Sequence, residues 1–192
     1  MSTQPKTFLT PEQYLEIERR AEFKSEYYQG EMFAMSGATR LHNLVTGNIV
    51  GQFYVQLRGR PCEMYPSNMR VRVSATGLYT YPDIVVVCGE PQFLEGELDT
   101  LLNPTALVEV LSPSTEAYDR GRKFDHYRAI ESLQQYLLVA FDRVHTDLYT
   151  RRADGLWVLT AADGPEGSIE LAGCTLKLAD IYERVELPPA PG

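Results

Sequence analysis

Apolar runs that alternate with helix-like stretches point to an α/β domain, a mixed central sheet flanked by helices. The run IVVVC at 84–88 shows no polar alternation, which marks a strand covered on both faces. ALVEVL at 106–111 is similar apart from one glutamate, and Ser112-Pro113-Ser114 ends it. Residues 116–131 then carry helical spacing, and a third apolar run follows at 136–141. Strand, strand, helix, strand, with a longer helix upstream, is the layered pattern of helices packed on one sheet.

The elements follow in order. Thr10 can cap a first helix, with Pro11 at its first position and Gln13 completing a capping box. SEYYQGEMFAM at 25–35 reads as a hairpin turning at Gln29-Gly30. Ser36-Gly37 breaks the pattern, and Thr39 can cap a helix running to about residue 57. Its apolar positions, Leu41, Leu44, Val45, Ile49, Phe53 and Leu57, keep three- and four-residue spacing, and Gly59 ends it. MRVRV at 69–73 alternates, with two arginines on one face. YTYPD at 79–83 leads into the central strand at 84–88, and the acidic stretch 89–100 reads as an exposed excursion. A polar hairpin is expected over 145–152 and 156–160. One short strand and a short helix near 179–182 follow. No repeat or linker divides the chain, so residues 1–192 form a single domain, with an N-terminal helix and hairpin, a C-terminal hairpin extension, and flexible ends at 1–8 and 186–192.

The 192 residues are 44% hydrophobic and 23% charged, enough to bury a core. Twenty-six acidic residues against eighteen Lys and Arg give a net charge of −8. That excludes a basic domain held on nucleic acid by bulk charge, and leaves open an enzyme with a local groove and a metal. Three cysteines without short spacing argue against a disulfide scaffold and a zinc knuckle. Reduced thiols suit a cytoplasmic protein. No apolar run approaches the roughly 18 residues of a membrane span. Walker and dinucleotide glycine motifs are absent, as is GxSxG.

Three residues are out of place for surface charges. Asp83 opens the most apolar strand, and Glu109 sits between Val108 and Val110. A desolvated carboxylate needs a partner, a proton or a metal. Two carboxylates on adjacent strands suit a hard divalent cation such as Mg2+, with Mn2+ as a substitute. For Asp83 a hydrated strand-end cap is the competing explanation. Lys123 lies about 40° from Tyr127 and about 20° from Ile130 around an ideal helix, so it shares the inward stripe. There it can snorkel at the margin, or act on water or phosphate beside a metal. Arg58, Arg60, Arg70 and Arg72, with Arg120, Arg122 and Arg128, either line a local basic groove or are scattered solubilising charge.

The ordered set YPDIVVV (81–87), VEVLSPST (108–115), DRGRKFDHYR (119–128) and QQYLLV (134–139), with SEYYQGEMFAMSGATRLHN (25–43) upstream, resembles the Uma family of putative restriction endonucleases. That family belongs to the PD-(D/E)XK nuclease superfamily, and the likeness spans about residues 11–182. It implies a restriction-endonuclease-like core and a magnesium-dependent endonuclease hydrolysing phosphodiester bonds in DNA. Asp83 and Glu109 would then be catalytic metal ligands, with Lys123 as the catalytic lysine. The superfamily places its lysine two residues after the strand carboxylate, where this chain has Leu111. The resemblance implies that the lysine has moved to the following helix as Lys123. It also offers Glu26 as a further metal carboxylate, against a plain hairpin charge. His42, one turn into the long helix, is a possible auxiliary group, against a cap or packing histidine. The expected partner is DNA, bound weakly, with the protein a homo-oligomer. The competing class is a catalytically degenerate nuclease fold that binds nucleic acid or protein, which Leu111 and the −8 charge favour.

Overall fold

The computed structural model describes residues 8–96 and 98–188. The ends expected to be flexible lie, apart from residues 8 and 186–188, outside the described residues. Helix α1 (Pro11–Glu18) starts as the capping box predicts: Thr10 accepts from the Gln13 N–H, and the Gln13 side chain accepts from the Thr10 N–H. Strands β1 (Ser25–Tyr28) and β2 (Glu31–Ala34) form the hairpin, whose turn holds Gln29 and Gly30 at positive φ. Gly30 is required there, because a Cβ would meet the Phe8 side chain at 2.7 Å. Helix α2 (Arg40–Gln56) is capped by Thr39, which accepts from the His42 N–H at 3.2 Å.

The strands that follow are β3 (Cys62–Pro66), β4 (Arg70–Val73), β5 (Leu78–Thr80), β6 (Ile84–Cys88), β7 (Thr100–Leu101) and β8 (Ala106–Val110). A helical segment then comprises α3 (Glu116–Tyr118), a π turn (Asp119–Lys123) and α4 (Phe124–Tyr127). The chain ends in β9 (Gln135–Val139), β10 (His145–Arg151), β11 (Trp157–Asp163), β12 (Ser168–Leu171), β13 (Cys174–Lys177) and α5 (Leu178–Ile181).

The main sheet has six strands in the order β11-β10-β9-β8-β6-β3, and a second sheet has five, β2-β1-β5-β4-β7. The main sheet is mixed: β8 and β9 are parallel and its other pairs antiparallel. The parallel pair is joined by the helical segment, as parallel neighbours need a crossover. Strand alternation sorts the core into two layers. Ile84, Val86, Val108 and Val110 pack under Val45, Ile49 and Phe53 of α2 with α5 and β13. Val85, Val87, Leu107 and Leu111 face the other way, toward Tyr127, Ile130, Leu133 and β4. A smaller tyrosine cluster, Tyr14, Tyr27 and Tyr79, seats α1 on the hairpin.

Four expectations need correction. Strand β3 has no strand-like pattern, since CEMYP carries a glutamate and a proline, yet it forms because the β6 edge needs hydrogen-bond partners. That pairing sets Cys62 opposite Cys88, Cα atoms 4.0 Å apart, and the two form a disulfide. A separation of 26 residues gave no short-range sign of it; only Cys174 keeps a free thiol, and it is buried. Residues 116–131 are not one α-helix, because of the π turn. The tail holds two strands where one was expected. Among the described residues, no helix is long and apolar enough to cross a membrane.

Candidate functional site

Asp83 and Glu109 are brought together by strand register. Ile84 pairs with Val108, so the same antiparallel register carried one step further sets Asp83 opposite Glu109. The backbone at Asp83 is held by the Ser67 N–H, which donates to its carbonyl oxygen at 2.7 Å. The Asp83 carboxylate turns toward the chain end of β8: its Oδ2 accepts from the Val110 N–H at 2.8 Å and from His42 Nε2 at 3.0 Å. The hydrated-cap alternative for Asp83 therefore gives way to a partly buried carboxylate tied to both the sheet and α2. His42 lies one turn inside α2, so its ring reaches Asp83 while its buried Nδ1 has no partner among the described residues. The same holds for the buried hydroxyl of Thr46, one turn further on.

Glu109 shares the sheet face of Leu107 and Leu111 and is 4% exposed. Its Oε1 receives Lys123 Nζ at 2.9 Å and the Tyr127 hydroxyl at 2.7 Å. Lys123 is 5% exposed, so it is an interior lysine and not a snorkelling one. The inward placement expected from helix spacing holds even though the π turn ends at Lys123. A π turn widens the helix locally and commonly marks functional positions. Here it also aims Asp119 inward, and its Oδ1 lies 3.4 Å from Lys123 Nζ.

Glu26 reaches the same lysine from β1, its Oε1 3.5 Å from Nζ. It is buried, which removes the exposed-hairpin explanation. Thr80 donates to Oε1 through a short hydrogen bond, and the Tyr118 hydroxyl donates to Oε2 at 3.1 Å. One ammonium thus serves three carboxylates, on β1, β8 and the π turn. The contributions of Tyr127, Asp119, Tyr118 and Thr80 did not emerge from the sequence. Tyr127 had the clearest signal, as a member of the inward stripe beside Lys123.

The electrostatics follow from this crowding. Burial pushes Glu109 well above the ordinary carboxylate range; the Lys123 ammonium opposes this, and Asp83 and Asp119 reinforce it. Asp119 is raised for the same first reason, burial, against the pull of Lys123. Burial disfavours the Lys123 ammonium, but Glu109, Glu26 and Asp119 outweigh it and hold the lysine well above its usual value. Tyr127 is raised far above a free phenol, by burial and by Glu109.

Glu109, Glu26 and Asp119 around the Lys123 ammonium, with the partly buried Asp83 beside Glu109, make an excess of carboxyl groups over the one cation they share. That excess, and a donor set made of oxygen, fit a hard divalent cation better than a zinc-type ion. Among the described residues no group of three or more His, Cys, Asp and Glu side chains is arranged as a metal cage. This is compatible with Mg2+, which takes one or two carboxylates and completes its shell with water and phosphate.

The arginines divide. Arg70 is interior, bound to Asp99 at 2.7 Å and to Tyr81 and Thr100, so it belongs to the scaffold. Arg120 bridges Glu116 and Asp147, Arg128 pairs with Asp125, and Arg60 donates to the Gly173 carbonyl.

Comparison with known proteins agrees with the fold. The family model Uma2, described as a putative restriction endonuclease, matches residues 11–179. Two proteins of Synechocystis sp. (strain ATCC 27184 / PCC 6803 / Kazusa) are similar to the chain. The uncharacterized protein sll1609 is 35% identical over 85% of this chain and 93% of its own length. The uncharacterized protein slr1290 is 40% identical over 79% of this chain and 78% of its own. Among solved structures, a putative nuclease belonging to DUF820 from Anabaena variabilis superposes with a TM-score of 0.75. It covers 93% of this chain and 99% of that one at 17% identity, a likeness of fold.

Proposed function

The chain belongs to the Uma2 family of restriction-endonuclease-like proteins, and from that membership we propose that it is a divalent-metal-dependent nuclease that hydrolyses phosphodiester bonds in DNA. The observation that carries this reading is the convergence of Lys123 on Glu109 at 2.9 Å, with Asp83 bonded to the backbone of the next residue, Val110. A surface protein with no use for these groups would have no reason to desolvate them together.

Asp83 and Glu109 would hold the cation. Bound there, it would supply a water of lowered pKa and polarise the scissile phosphoryl group. The chain's own residues do the rest. The His42 and Val110 N–H bonds to Oδ2 fix the Asp83 carboxylate in one orientation. Tyr127 does the same for Glu109. Lys123 places a permanent positive charge where charge develops on the phosphate, and orients the attacking water. Glu26 has both oxygens engaged, by Thr80 and Tyr118, and lies within reach of Lys123. In this proposal it steers the lysine more than it ligates the metal. With a net charge of −8, DNA affinity rests on local contacts and falls steeply with salt.

The test is cleavage of plasmid and single-stranded DNA with Mg2+ or Mn2+, beside calorimetric metal titration, for wild type, Asp83→Asn and Glu109→Gln. Loss of both cleavage and metal binding in the variants is expected. If wild type and Asp83→Asn bind Mg2+ equally and neither cuts any DNA, the nuclease reading fails and a binding module takes its place.

A further inference from the structure

Among the described residues strand β11 is an edge of the six-stranded sheet, paired with β10 alone, in a one-to-one register over all seven of its residues. Its outer side is a row of backbone N–H and C=O groups with no strand beside it among the described residues. Proteins that remain monomeric interrupt such a row with lysine, proline, a bulge or a very short strand. The opposite edge of the sheet follows that rule, since β3 carries Glu63 and Pro66. β11 does not. Its sequence WVLTAAD has no charge before Asp163, no proline and no bulge. Leu156, Val158 and Leu159 are exposed along it, Leu159 by 52%.

We propose that β11 pairs antiparallel with β11 of a second copy of this chain, joining the two main sheets across a two-fold axis at Thr160. Self-pairing of one segment about a two-fold gives a closed, isologous dimer. Only the register centred on Thr160 uses all seven residues of the strand. It sets Leu159 against Ala161 of the partner subunit, and Val158 against Ala162 of the partner subunit, so each large apolar side chain meets a small one. It also sets Trp157 against Asp163 of the partner subunit. Trp157 is already opposite Arg151 within the chain, and the Arg151 guanidinium lies 4.8 Å from the indole centroid. Within each chain Asp163 Oδ1 is bonded to His145 Nδ1, and the Arg151 guanidinium donates to the Arg128, Ile130 and Glu131 carbonyls. The carboxylate of the partner's Asp163 therefore arrives on the face that carries the arginine as a charge match without a new direct bond, repeated by the two-fold at the other end. The inference stands apart from the nuclease reading, because it uses none of the residues of the candidate site.

The experiment is light scattering and sedimentation of the full chain across micromolar concentrations, combined with register-specific cross-linking. Wild type should sediment as a dimer, and Leu159→Lys as a monomer with an unchanged circular dichroism spectrum, since the position is exposed. Thr160→Cys should form a covalent dimer on oxidation, because directly opposed residues lie about 4.5–5.5 Å apart, within disulfide reach. Ala162→Cys should not, because it faces Val158 of the partner subunit. Cys62 and Cys88 are paired and Cys174 is buried, so the introduced thiol is the accessible one. A wild-type monomer at every concentration overturns the proposal. So does a dimer that survives Leu159→Lys, or equal cross-linking at 160 and 162. Quenching of Trp157 fluorescence by single-stranded DNA in a monomer overturns it in favour of a nucleic-acid surface.

Discussion

Replacing Lys123 with methionine keeps most of the side-chain volume and deletes the ammonium that Glu109, Asp119 and Glu26 share. The three contacts, at 2.9, 3.4 and 3.5 Å, are each worth about 5 kcal/mol gross at an effective dielectric near 20. Most of that sum offsets the desolvation of the four groups. Removing one partner from a buried ion pair costs about 3–5 kcal/mol net. For a domain of this size that is a fall of about 6–20 °C in Tm. The loss should depend on pH with a definite sign. Glu109 and Asp119 already have folded-state pKa values raised by burial, and Lys123 is the main influence holding them down. A group raised in the folded state contributes stability that is fully present below its unfolded pKa and lost as pH rises through its folded one. For Glu109 in the wild type that window runs from its ordinary value of 4.5 to about 8. In Lys123→Met it extends higher, so the deficit should be smallest in mild acid and largest on the alkaline side. Chemical unfolding followed by circular dichroism in chelator, at acid, neutral and alkaline pH, measures it. A variant as stable as wild type in alkali, or one that loses more stability in acid than in alkali, would refute the account of a single cation holding three carboxylates.

Glu109→Gln should behave oppositely in chelator: two carboxylates remain for Lys123, the crowding of negative charge is relieved, and Tm should hold or rise while metal-dependent stabilisation disappears. In wild type, Mg2+ at about a hundred times its Kd should add about 2.7 kcal/mol, read as a Tm shift. Leu111→Lys, which restores the superfamily's lysine position, should lower Tm, because Leu111 is buried among Tyr127, Ile130 and Leu133; an unchanged Tm would show that the new stem finds water. Asp99→Asn should cost about 1 kcal/mol at neutral pH. Burial opposes its charge, but hydrogen bonds from Arg19 and Thr100 and the Arg70 charge hold it down at about 2, and its partial exposure discounts the pair. Its stabilisation should be complete above about pH 4 and fade as pH falls toward 2, which unfolding curves in acid would check. Phe53→Ala, in the fully buried contact of α2 with the sheet, should cost about 3–5 kcal/mol in urea unfolding.

The elements that the sequence determined unaided are those whose signals are local. The capping box at Thr10 and Gln13, the Thr39 cap, the Gln29-Gly30 turn and the apolar runs at 84–88 and 106–111 each depend on contacts a few residues long. The chemistry of one site residue was legible for a related reason: a glutamate between two buried valines is anomalous wherever the strand is placed. Lys123 was legible through spacing, since a helix fixes which side chains share a face. Tertiary structure alone decided what surrounds these groups. The register of β6 on β8 sets Asp83 opposite Glu109, 26 positions apart in the chain, and strand register is a property of the sheet. Tyr118, Asp119 and Tyr127 look like ordinary helix residues until the π turn rotates them onto Glu26, Lys123 and Glu109. Strand β3 exists because β6 has hydrogen bonds to satisfy, and the Cys62–Cys88 disulfide exists because that pairing opposes the two cysteines. Local propensity is written in neighbouring residues, whereas register and charge clustering are set by which strands meet, and only the folded chain brings those strands together.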